Sequence, residues 1–145
     1  MAIVAFPYVA IPLPADEAHP HGFVAHRPLA VATVTASNGE STRCMVMPDS
    51  GADACLFPLS LAILLKLDIL RLPKALTGGV GSNANTTYYD TITADLGNGI
   101  AFSAYAGFTL GLEQMGLGLL GQDGFFGQYR VEFLMMRNVF TIETV

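Results

Sequence analysis

Residues 46–58 read VMPDSGADACLFP. An apolar run stops at Pro48, two carboxylates follow at Asp49 and Asp53, and the chain is apolar again by Cys55. Aspartate is seldom placed among hydrophobic runs without a partner or a task. Gly51 permits a sharp turn directly after Asp49. Ser50 offers a short hydroxyl that both donates and accepts, suited to locking such a turn to a neighbour. Asp49 is therefore expected at the end of a strand, held as rigidly as a catalytic group must be.

Working outward, the flanks read as β-structure. Upstream, PLAVATVT (28–35) and TRCMVM (42–47) are two strand-like runs around Ser37-Asn38-Gly39. Asn-Gly between such runs marks a hairpin. Downstream, Pro58 suits a first helical turn, where its missing N–H costs nothing. SLAILLKLDIL then predicts a helix, with Leu61, Leu64, Leu65 and Ile69 as its apolar stripe and Pro73 beyond its end. TGGVGSNANTT (77–87) is a glycine-rich loop. The clearest alternation follows: Ile92, Ala94 and Leu96 face one way, Gly97-Asn98-Gly99 turns the chain, and Ile100, Phe102 and Ala104 resume the pattern. GLGLLGQDGFFGQY (116–129) repeats faintly the scheme of 46–58: apolar strand, glycine turn, acidic residue, apolar run. Segments 130–135 and 138–143 alternate again, with Phe140 and Ile142 on an inner face. Before all this, residues 3–13 are extended and residues 14–27 form a polar loop. The expected fold is a single mostly β domain with one clear helix and one short helix.

Bulk composition agrees with one packed domain. The chain has 145 residues, enough for a real core but cramped for two. Apolar residues make up 52% and charged residues 13%, which excludes disorder and leaves apolar surface for a second subunit to cover. Net charge is −5 with no basic patch, so nucleic acid is not an expected partner. No run is long enough to span a bilayer, and the N-terminal MAIVAFPYVAIPLP lacks a basic flank for export. A cytoplasmic protein with no membrane partner is expected. Cys44 and Cys55 make no disulfide framework and read as buried thiols.

A single carboxylate of ordinary acidity is a poor acid at neutral pH. Two brought close cannot both stay charged, so the pair shares a proton. The ionised member can then take a proton from water while the protonated one polarises a carbonyl. The aspartic-protease pair is the general example of this behaviour. Three sources of the second carboxylate are open: Asp53, Asp123, or the Asp49 of a second copy across a two-fold axis.

Asp49-Ser50-Gly51-Ala52-Asp53 resembles the active-site signature of the retroviral-type aspartic proteases, the retropepsins. Gly78-Gly79-Val80-Gly81 resembles their glycine-rich flap. Leu119-Leu120-Gly121 resembles the element that packs beneath the catalytic turn, followed in the family by a short helix, here 123–129. The resemblance covers residue 28 to the C-terminus, with residues 1–27 as an extension that would edge the dimer or cover the cleft. It implies a homodimer with one catalytic aspartate per subunit, Asp49, and hydrolysis without metal or other cofactor. It implies that Ser50 ties the two turns together, and that Gly51, Ala52 and Asp53 meet an extended peptide under the flap. Gln122 stands where many viral members carry an arginine paired with the second aspartate. Arg130 and Arg27 are the candidate replacements.

Other chemistries find less support. Ser50 has no nucleophile elbow around it. His19, His21 and His26 share a polar loop without ligand spacing. GGVG lacks the following Lys of a phosphate loop. Asp123 reads as the cap of the short helix. The competing function class is a dimer of the same fold that binds peptides without cutting them.

Overall fold

A computed structural model describes residues 2–77 and 85–144. Its strands, in chain order, are β1 (Ile3–Pro7), β2 (Val9–Leu13), β3 (Phe23–Arg27), β4 (Ala30–Thr35), β5 (Ser41–Pro48) and β6 (Leu56–Pro58). A six-residue helix, α1 (Leu59–Leu64), comes next. It is followed by β7 (Lys74–Thr77), β8 (Asn85–Gly97), β9 (Ile100–Thr109), β10 (Gly118–Leu120), β11 (Tyr129–Leu134) and β12 (Val139–Thr144).

The main sheet runs β4-β5-β10-β6-β9-β8-β7, and β4 also pairs with β8. That extra pairing closes six of the strands into a barrel and leaves β7 outside it, hydrogen-bonded to β8. Closure removes the free edges that an open sheet would expose. The barrel is small, and its inward positions are correspondingly small or flat. Ala32, Val34, Val46, Ala94 and Ala106 are fully enclosed, with Phe57, Phe108 and Phe125 filling the remaining volume.

The alternation that predicts β8 and β9 is borne out. Ile92, Ala94, Leu96, Ile100, Phe102 and Ala104 are all buried. Asn98 sits in the left-handed region between Gly97 and Gly99, both also at positive φ, as this tight connection requires. The Ser37-Asn38-Gly39 hairpin forms as well, with Thr35 opposite Ser41. Asn38 serves a second element. Its amide donates to the carbonyls of Leu65 (2.9 Å) and Lys66 (3.4 Å), satisfying acceptors that the end of α1 leaves open.

Three sequence expectations are corrected. The helix after Pro58 is shorter than its apolar pattern predicts. Lys66 takes φ +56° and ends it, so Ile69 lies in a separate 3-10 turn; Leu61, Ala62 and Leu65 make the buried face, and Leu64, within the helix, faces solvent. The short helix over 123–129 is absent. Phe126 and Gly127 donate five residues back, to Gly121 and Gln122, which gives wide successive turns rather than a helical ladder. Residues 14–27 are not all loop, because Phe23–Arg27 pairs with Val9–Leu13 as an antiparallel hairpin. Asp16 closes its tip by accepting from the backbone N–H of His19.

β1 pairs with β12, and β12 with β11, in a separate three-stranded sheet. Phe140 packs between Phe6 and Tyr8 on that sheet's inner side. Phe133, directly opposite Phe140, lies on the same face at the β11 edge and is exposed, Ile3 is exposed on the other face, and Met135 and Met136 are exposed in the turn after β11. No helix among the described residues is long and apolar enough to cross a membrane.

Candidate active site

Asp49 is held from both sides. It follows the end of β5, whose neighbour β10 runs parallel with Leu120 opposite Pro48. The Asp49 N–H donates to the Leu120 carbonyl at 2.9 Å. Its own carbonyl accepts from Ala52 at 3.1 Å, closing the turn, and its Oδ1 accepts from the Gly51 N–H at 2.9 Å. A Cβ on Gly51 would lie 3.2 Å from that Oδ1, so the glycine keeps the amide within reach of the carboxylate. One oxygen of Asp49 is thus fixed by the turn, and the side chain is half-buried.

The second loop closes beneath the first. Gln122 donates its backbone N–H to Ala52 (2.8 Å), and Asp123 donates to Asp53 (2.9 Å). Ala54 and Asp123 then form a parallel bridge. Gly121 has no room for a side chain, since a Cβ there would lie 2.2 Å from the Ala54 carbonyl oxygen and 2.7 Å from that of Ala52. The Gln122 side chain adds a tie that its sequence position did not reveal. Its amide donates to the Ser50 carbonyl at 2.8 Å.

The expected site residues fall as follows. Asp49, Gly51, Ala52 and Asp53 line one open cleft of about 490 Å³. Ser50 lies at the exposed tip of the turn. Gly78, Gly79, Val80 and Gly81 lie outside the described residues. Their flanks, β7 and the start of β8, run antiparallel with Thr77 opposite Asn85. Of the two second carboxylates available within one chain, Asp53 shares the cleft with Asp49. Asp123 is not in its lining and, with no helix to cap, takes part through its backbone. Arg130 is not a partner for Asp53, because it pairs with Glu143 at 3.6 Å on the terminal sheet.

Sequence reasoning missed the apolar half of the cleft. Beside Ala54, its other described lining residues are Leu56, Leu76, Tyr89 and Leu119. They come from β6, β7, β8 and β10, so no local motif unites them. Tyr89 stacks on Tyr105 at 5.2 Å between ring centres. Gly107 leaves the space that Tyr89 and Leu56 occupy, since a Cβ there would lie 3.2 Å from the Tyr89 ring and 2.9 Å from Leu56.

Among the described residues no group of three His, Cys, Asp or Glu is arranged to hold a metal ion. The two thiols are buried, and burial is the main cause that pushes both of them up from the ordinary thiol value. For Cys55, a backbone hydrogen bond from Gly121 acts the other way and the Asp123 charge raises it further. A raised thiol keeps its proton in the fold at pH values where the unfolded chain has lost it. The stability this contributes is complete below the unfolded value of 9.0 and is lost as pH rises through the higher folded values. The denaturation midpoint is therefore expected to fall as buffers pass above that value. At neutral pH a thiol-specific reagent should label the native protein at least about 100-fold more slowly than the denatured one. Equal labelling rates would contradict the burial of both groups.

No family model matches this sequence, and no curated protein matches it significantly. Among solved structures, the chain is similar to a retropepsin-like aspartic protease from Rickettsia conorii. The TM-score is 0.53 at 16% sequence identity, and the match covers 92% of this chain and 98% of the other. The likeness is one of fold: a mostly β chain, a closed barrel-like sheet and one helix.

Proposed function

We propose that the protein is an aspartic endopeptidase that works as a homodimer, with one Asp49 from each subunit at the two-fold axis. The observation that carries this reading is the Asp49 turn itself. Its carboxylate is locked to Gly51, its backbone to Leu120, and its carbonyls to the loop behind Gly121, all at the side of an open cleft.

In the proposed reaction the two Asp49 carboxylates hold one proton between them. The ionised oxygen takes a proton from a water molecule as that water attacks the peptide carbonyl, and the other carboxyl donates its proton to the carbonyl oxygen. The tetrahedral species collapses when the amide nitrogen takes back the proton drawn from water and leaves as an amine, while one hydroxyl of the diol returns its proton to the other carboxylate as the carbonyl re-forms, so the pair again holds one proton. No covalent enzyme intermediate forms. Ser50, at the tip of the turn, ties one subunit's turn to the other. Gly51, Ala52 and Asp53 meet the substrate backbone. The extended substrate lies along the cleft beside β7, whose Leu76 borders it.

The terminal sheet supplies the dimer edge in this account. Phe133, at the end of β11, and Met135 and Met136, in the turn that follows it, are exposed apolar side chains that a lone subunit leaves wet. The test is dilution. With an unstructured protein as substrate, cleavage rate per subunit should be constant at high concentration and fall steeply through the dimer dissociation constant. Full activity in a monomer at high dilution would overturn the shared site. Binding of the substrate without cleavage at every concentration would instead favour a peptide-binding module of the same fold.

A further inference from the structure

The cleft mixes two chemistries that few ligands match together. Its carboxylates are Asp49 and Asp53, and its large side chains are Leu56, Leu76, Tyr89 and Leu119. Among the described residues no lysine, arginine or histidine lines it. The ion pairs among the described residues join His19 to Asp16, Lys66 to Glu40, Arg71 to Asp68 and Arg130 to Glu143. Asp53 belongs to none of these. The side chain on the second loop that reaches the Asp49 turn is Gln122, which is neutral and already donates its amide to the Ser50 carbonyl. Asp53 thus stands at the cleft as a carboxylate with no cationic partner among the described residues.

An amphipathic cation fits this surface. Lysine and arginine bury an aliphatic stem against apolar walls while keeping the charged head on a polar group. A purely apolar side chain would leave Asp53 covered and unpaired, and an acidic one would be repelled. We propose that Asp53 is the specificity-determining residue of the cleft and selects extended peptides that carry a lysine or arginine side chain. This rests on the reading of the cleft as a peptide site.

The experiment uses one peptide frame in which lysine, norleucine or glutamate is placed at each position in turn. At one position lysine is expected to exceed norleucine by about fivefold to tenfold in kcat/KM, with glutamate lowest. The ratio should fall to about twofold or less in Asp53→Asn, and also in Gln122→Arg, which brings a competing cation to the turn. Equal rates for the three peptides in the wild type would overturn the proposal and leave the peptidase reading intact, as would a ratio unchanged in both variants. If the wild type cuts none of the peptides, the peptidase reading fails separately. Fluorescence anisotropy of the same peptides on Asp49→Asn and on Asp49→Asn/Asp53→Asn then decides. A lysine preference lost with Asp53 supports the proposal, and no lysine preference in the first variant overturns it.

Discussion

Asp49→Asn is expected to lower peptide-bond cleavage on the order of a thousandfold or more while leaving the fold in place. The two halves of this prediction have different origins. The catalytic loss follows because an amide can neither take a proton from water nor share one with its twin. The structural tolerance follows because the amide oxygen is placed as Oδ1 is now, and can still accept the Gly51 N–H. The turn keeps its other ties, from Asp49 to Leu120 and from Gln122 to Ala52, since these are backbone bonds. Thermal denaturation and dimer mass should therefore match the wild type. A variant that retains more than about a tenth of the wild-type rate, against the factor expected from removing a general base, would assign the chemistry elsewhere.

Gly121→Ala is expected to be among the most damaging single methyl additions in the chain. The new Cβ would overlap the Ala54 carbonyl and crowd that of Ala52. Both obstacles are backbone, so no side chain can rotate away. Relief requires the two loops to separate, which would break the bonds from Gln122 to Ala52 and from Asp123 to Asp53. Overpacking together with two lost hydrogen bonds costs about 3 kcal/mol or more. That is a large part of the total stability of an ordinary domain. Gly111→Ala is the control, because among the described residues its Cβ would meet side chains and no backbone, those of Asn85 and Thr109 at 3.3 and 3.6 Å. Denaturant midpoints should separate the two variants clearly. Equal midpoints would mean that the second loop does not press on the first as described.

The contrast between these two positions reflects how the site is encoded. The Asp49 turn is legible in sequence because its parts are contiguous: strand, proline, acid, glycine. The barrel strands are legible where one face is buried, as with Ile92, Ala94 and Leu96. β3 is not, because Phe23 and Val24 both face solvent and give no alternation of burial. The helix is over-read because 61–65 is apolar throughout and Leu67, Ile69 and Leu70 carry the apolar pattern past Lys66, so periodicity carries little information about where it stops. Lys66 stops it by its backbone conformation, which its side chain does not announce. The apolar cleft lining is dispersed over four strands, and Leu56, Leu76, Tyr89 and Leu119 meet only after the barrel has closed. Gln122 attaches to a carbonyl, a group that every residue carries and that leaves no mark in the sequence.

The most direct measurement is the separation of the two Asp49 carboxylates in a crystal structure of the assembled protein. A shared proton requires oxygens from the two chains to lie about 3 Å apart across a two-fold axis. Carboxylates on opposite sides of the assembly, each facing water with no second acid beside it, would contradict the account.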